Sequence, residues 1–102
     1  MPIAVFLQNI DGTRRKDSLL DGSGGLNRCL PIGDQSFRLL QYVDPYGNVI
    51  FNHLQMPQLL EELELLIGGV SDRHSIQLLE RVRELAVKCR DSNHLYLRFV
   101  GD

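Results

Sequence analysis

No run of eighteen apolar residues occurs in this chain, so the sequence offers no candidate for a membrane-spanning helix. The first residues, MPIAVFLQNIDG, lack a basic segment followed by an apolar stretch and a cleavage site, and a cytoplasmic protein is the expectation. No strong charge of either sign is present. The formal net charge of −2 gives no global bias toward nucleic acid or an anionic surface. No Cys-x-x-Cys pair occurs either: Cys29 and Cys89 stand far apart, and in a reducing compartment they read as two thiols, at least one of them in the core.

The usual signatures of catalysis are missing too. His53, His74 and His94 fall in three different segments, without the spacing that places two imidazoles on one metal ion. Ser18, Ser23, Ser36 and Ser92 sit outside any Gly-x-Ser-x-Gly elbow. DGSGG (21–25) is glycine-rich but is not followed by Lys-Ser or Lys-Thr, so a flexible turn explains it better than a phosphate loop. TRRK (13–16) is a short basic patch flanked by Asp11 and Asp17, and its default reading is a solvated turn. No catalytic residue, metal ligand or cofactor site is assigned from the sequence.

Glutamate is also absent from the first sixty residues, and this absence organises the chain. Every glutamate lies between Glu61 and Glu84, while the first half uses only aspartate. Glutamate suits helix interiors, whereas aspartate competes with the backbone and collects in turns and caps. The chain therefore reads as strands and turns first, helices second.

What is present fits that division. Residues 3–8 (IAVFLQ) have the length and apolarity of an internal strand. Residues 9–36 carry turn signals at Asp11-Gly12, Asp21-Gly22, Gly24-Gly25 and Gly33-Asp34, with room for a returning strand after Asp11-Gly12 and an extended Leu30–Ile32. FRLLQYV (37–43) and NVIF (48–51) flank Asp44-Pro45-Tyr46-Gly47, and the spacing predicts a hairpin whose three-residue loop ends on a left-handed Gly47. PQLLEELELLI (57–67) has Leu59, Leu60, Leu63, Leu66 and Ile67 at helical spacing, with Pro57 in the first turn and Gly68-Gly69 at the end. Met56 is a poor N-cap, so Asn52 or a tertiary partner is expected to take the free amides. Ser71 or Asp72 caps a second helix reaching about Asp91, with Ile76, Leu79, Val82, Leu85, Ala86 and Cys89 on one face and a Glu84–Lys88 pair outside. HLYLRFV (94–100) alternates as a closing strand. At 102 residues the chain is a single domain of the α+β class. It should form an antiparallel sheet of about four strands, with an antiparallel two-helix hairpin on one face, in the order β-loop-β-β-α-α-β.

Strand parity then divides the side chains. Pairing Val43 with Val49, Tyr42 with Ile50 and Gln41 with Phe51 turns Phe37, Leu39, Val43, Val49, Phe51, Leu95, Leu97 and Phe99 toward the helices. Arg38, Leu40, Tyr42, Ile50, His94, Tyr96 and Arg98 are left on the other face, with Tyr46 at the hairpin tip. Phe6 or its neighbours join them according to the parity of the first strand. Tyrosine and arginine bring contact area and directional polar ends, the combination found at binding hot spots. The expectation is a non-catalytic protein–protein interaction module, an adaptor or an immunity-type inhibitor by analogy with small bacterial domains, using Arg38, Leu40, Tyr42, Tyr46, Ile50, Tyr96 and Arg98. Its partner would be another protein or a second copy of itself, with no membrane involved. The competing readings are burial of that face by residues 9–36, or a ligand or minor enzyme pocket between that segment and the sheet built on His53, His94 or Cys29. RNA or single-stranded DNA binding is disfavoured: the element order is wrong for an RNA-recognition domain, and RFVGD (98–102) does not match its signature.

Overall fold

A computed structural model describes residues 2–20 and 22–101. Asp21, and with it the first position of DGSGG, lies outside the described residues. The strands are β1 (Ala4–Asn9), β2 (Arg14–Leu20), β3 (Asn48–Asn52) and β4 (Leu95–Val100); the helices are α1 (Gly25–Cys29), α2 (Met56–Gly69) and α3 (Arg73–Arg90). The strands form one antiparallel sheet in the order β2-β1-β4-β3. The fold is α+β, with four strands and the α2–α3 pair on one face.

The alternation seen in the sequence is obeyed in β4, and the apolar run at 3–8 supplies the internal strand β1. Val5 and Leu7 of β1, Leu95, Leu97 and Phe99 of β4, and Phe51 of β3 are buried in the core shared with the helices. Leu59 and Leu63 of α2 and Leu79, Val82, Leu85, Ala86 and Cys89 of α3 meet them. Phe51 and Phe99 pack edge to face with centroids 5.8 Å apart, the geometry that the ring quadrupoles favour. Burial pushes the Cys89 thiol up to about 11. Its Sγ donates to the Leu95 carbonyl at 3.5 Å. A thiol that keeps its proton when folded adds stability below the unfolded-state value of 9.0, and that stability is lost as pH rises toward 11. Urea titrations between pH 8 and 11 should therefore show a fall in stability that is shallower in Cys89→Ala; equal slopes in the two proteins would count against a thiol held neutral by burial.

Caps fix the helices where the sequence places them. Asp72 accepts from Ser75 N at 3.0 Å and from Ser75 Oγ at 2.9 Å, starting α3. Those two bonds hold the Asp72 carboxyl below the usual carboxylate range. Asn52 takes the amides ahead of α2: its Oδ1 accepts from Leu54 N and Gln55 N, while Gln55 Oε1 accepts from Asn52 N. This capping box begins a single 3₁₀ turn, His53–Gln55, that runs into α2. The expected Glu84–Lys88 pair gives way to closer partners, Arg81 on Glu84 at 2.7 Å and Asp17 of β2 on Lys88 at 3.1 Å.

The strand expected at residues 37–43 is the main correction. This segment forms turns and a 3₁₀ helix, Leu40–Tyr42, and the fourth strand comes instead from β2, returning after Asp11-Gly12. Leu40 and Val43 are both buried, three residues apart. A strand would send them to opposite faces, whereas one helical turn sends them to the same side. The three-residue hairpin loop with a left-handed glycine does exist, but at Ile10-Asp11-Gly12. There Gly12 has φ 93°, Asn9 and Thr13 close the loop, and Asp11 Oδ1 accepts from Thr13 N at 3.0 Å. Asp44-Pro45-Tyr46-Gly47 is a turn whose Asp44 Oδ1 accepts from Tyr46 N at 2.8 Å, but Gly47 does not have positive φ.

That turn docks on the end of the sheet, where Gly101 N donates to Gly47 O at 2.6 Å. A Cβ on Gly101 would overlap the Asp44–Pro45 backbone. Gly101→Ala should cost about 1–3 kcal/mol by overpacking, read as a lower urea midpoint. A midpoint equal to that of the parent protein would mean that this contact opens freely.

Candidate functional site: the open sheet face

The face of the sheet turned away from the helices is a grid set by the strand register. One row runs Leu20–Ala4–Val100–Asn48, the next Ser18–Phe6–Arg98–Ile50, and the third Arg14–Gln8–Tyr96–Asn52. No aspartate or glutamate stands in these rows. At their centre Phe6 is only 2% exposed, although no helix lies over it. Its cover is two arginines: Arg14 Cζ sits 3.9 Å from the ring centroid and Arg98 Cζ 5.6 Å from it. A guanidinium over a phenyl face is held by the ring quadrupole and shields the ring from water.

Gln8 orients one of the two, its Oε1 accepting from Arg98 Nη1 at 3.0 Å. Arg98 Nε is sealed from solvent and has no acceptor. Among the described residues neither Arg14 nor Arg98 has a carboxylate partner. The ion pairs lie elsewhere, on and around the helices, where Arg83 meets Glu64 at 2.6 Å and Arg81, Lys88 and Arg90 each have an acid. The paired acids thus lie on and around the helical layer, while the two guanidiniums over Phe6 stand without a carboxylate among the described residues.

The described residues of the segment 9–36 do not cross this face. β2 extends the sheet, and α1 packs beside α3, burying Leu26 in the core. Gly24, with φ 76°, leads directly into α1, whose first amide, Gly25 N, donates to Ser23 Oγ at 3.3 Å, so the glycine-rich stretch starts a helix of five residues. TRRK is the start of strand β2, and Arg14 from it is a central group of the face.

Of the residues read from the sequence as a surface, Ile50, Tyr96 and Arg98 are on the open face: Ile50 is 46% exposed, and Tyr96 and Arg98 are half-buried. Leu40 is a correction. It is fully buried, because the 3₁₀ turn directs it into the core. Arg38 and Tyr42 are exposed but belong to the 37–43 segment and not to the sheet. Tyr46, 76% exposed, stands on the turn beside the Leu20–Ala4–Val100–Asn48 row. Phe6, which the parity of the first strand had to decide, is on this face opposite Arg98, whereas sequence reasoning missed Arg14 and Gln8. The available signal was the return strand after Asp11-Gly12, whose parity would have brought Arg14 onto the face of Phe6.

The elements of a catalytic pocket are not brought together. His53 and His94 stand beside Asn52 and Leu95, at the Asn9 end of β1. Cys29 is in α1, whose Asn27 accepts from Ile3 N at the other end of that strand. A six-residue strand separates the two ends by roughly 17 Å. Among the described residues no group of three His, Cys, Asp or Glu side chains could hold a metal ion. A surface depression of about 490 Å³ lies against α2, lined by Ser36, Gln58, Glu61, Glu62, Glu64 and Leu65, away from any histidine. No helix of the described residues is long and apolar enough to cross a membrane.

Fold and face together define a small α+β domain with one helix-covered sheet face and one open face that is basic and apolar. Comparison with protein-family models, curated proteins and solved structures finds no match to this chain.

Proposed function

We propose that this chain is a non-catalytic protein-binding module, an adaptor or inhibitor, that engages its partner through the open sheet face. The observation that carries the reading is the pair Arg14 and Arg98, both seated on Phe6 and both without a carboxylate among the described residues. Exposed Leu20 and Ile50 flank them and Tyr46 stands at one edge, so apolar area surrounds a directional polar centre. That is the composition of a protein contact more than of a solvated face.

A different protein is favoured over a second copy. Two open faces brought together by a two-fold axis would place four guanidiniums in one interface with no acid from the rows to oppose them. Nucleic acid is disfavoured by the stacking surface: Arg14 already occupies the Phe6 face on which a base would have to lie. The test is a photo-crosslinking side chain at Ile50, compared with one at exposed Glu84 on the helical layer, irradiated in the cells that make the protein. A discrete heavier adduct from Ile50 alone is the expected result. The same adducts from both positions, or none from Ile50, would overturn the proposal, and an adduct of twice the chain mass would replace the foreign partner with a dimer.

A further inference from the structure

We infer that Arg14 and Arg98 form a carboxylate clamp, and that the partner presents an acidic segment to it. This rests on the reading of the open face as a protein contact and names the chemistry that the contact recognises.

Two like charges sharing one aromatic ring repel each other, and the described chain gives neither one a counter-ion. Arg98 also leaves Nε without an acceptor in order to hold its present orientation. Such an arrangement costs stability in the free chain and becomes favourable when an anion bridges the pair. The planar forks of arginine suit a carboxylate, and stacking on Phe6 together with the Gln8 bond holds them in place before the partner arrives. A protein segment fits better than a polyphosphate chain. Exposed Leu20 and Ile50 beside the arginines suit apolar side chains alternating with acids, which a polyphosphate chain does not supply. The exposed glutamates of the helices, Glu61 and Glu64 on α2 and Glu80 and Glu84 on α3, are on the opposite layer. A copy using them would bind head to tail and leave an open chain of subunits instead of a closed pair.

The test uses the full chain and three fluorescent probes: a short peptide alternating Glu and Val, its Gln–Val counterpart, and an oligothymidylate of similar length. Fluorescence anisotropy should show saturable binding of the Glu–Val peptide, with the Gln–Val peptide weaker by about tenfold or more. Arg14→Gln should weaken the Glu–Val peptide by about tenfold, while Arg38→Gln, which removes the same charge from an exposed position off the sheet, should leave it unchanged. Arg98→Lys keeps the charge but loses the fork, and should also weaken binding. In nitrogen-15 spectra the Arg98 Nε–H signal should move on adding the acidic peptide.

Equal binding of both peptides, or an equal loss from Arg38→Gln, overturns the clamp. If no peptide binds while the Ile50 crosslink still forms, the clamp is wrong and the protein-binding reading stands; if both fail, both are wrong. Preferential binding of the oligothymidylate makes the face a nucleic-acid surface and overturns clamp and protein-binding reading alike.

Discussion

Glu62→Ala should lose about 3 kcal/mol of folding stability, a large share of the roughly 5–15 kcal/mol that a small domain has in total. Glu62 is on the inward side of α2 and only 2% exposed. Its Oε2 accepts from Leu39 N at 3.1 Å and from Gln58 Nε2 at 2.8 Å, and its Oε1 accepts from Leu40 N at 3.0 Å. These backbone amides start the 3₁₀ turn Leu40–Tyr42, so the carboxylate acts as a cap supplied from another element. Alanine would leave Leu39 N and Leu40 N without their acceptor and open a void beside Leu40. Glu62→Gln keeps the shape but presents one amide N–H₂ to groups that are themselves donors, and should cost about half as much. Urea unfolding followed by circular dichroism measures both. A loss below about 1 kcal/mol for Glu62→Ala would mean that water replaces the carboxylate and that the 37–43 segment is held by Leu40 and Val43 alone.

Glu62 also shows why part of this fold was legible in the sequence and part was not. β4, α2 and α3 each bury one face against a broad layer, so their periodicity appears directly in the order of apolar residues, and β1, buried on both faces, appears as a short apolar run. The 37–43 segment is held by a few points, Leu40, Val43 and a carboxylate more than twenty positions away. FRLLQYV taken alone has the composition of a strand, and only Leu40 and Gln41 break the alternation. Nothing local marks Glu62 as its partner, since a glutamate in a helix is ordinarily solvated. The candidate site divides in the same way. Tyr96, Arg98 and Ile50 follow from the parity of β4 and β3, and both strands were recognised. Arg14 was hidden in a charged segment that reads as a turn. Counting across the hairpin from Asn9 and Thr13 brings Arg14 beside Gln8, so that position was hidden by the turn reading alone. β2 carries extra residues only beyond it, between Arg14 and Ser18, and there the count fails to show that Ser18 faces Phe6.

Phe6→Ala should cost about 3–4 kcal/mol, a core-sized loss from the sheet face that no helix covers. The ring is nearly sealed, and the groups that seal it, Arg14 and Arg98, are held there largely by the ring itself. Phe6→Leu separates the two roles. Leucine keeps most of the apolar volume and should cost about 1–1.5 kcal/mol, leaving a folded protein. It has no quadrupole, so the guanidiniums lose their seat. A double-mutant cycle between Phe6→Leu and Arg14→Gln should therefore give a coupling of about 0.5–1 kcal/mol in urea unfolding. A cycle that closes to zero would show Arg14 extended into water and Phe6 buried by other means. The same Phe6→Leu protein should then bind the acidic peptide several-fold more weakly at unchanged net charge, because its arginines are ordered only at the moment of binding. Unchanged binding would mean that the charges act at long range and that their placement on the ring is incidental. The position of one buried aromatic ring thus links the stability of the open face to its recognition chemistry.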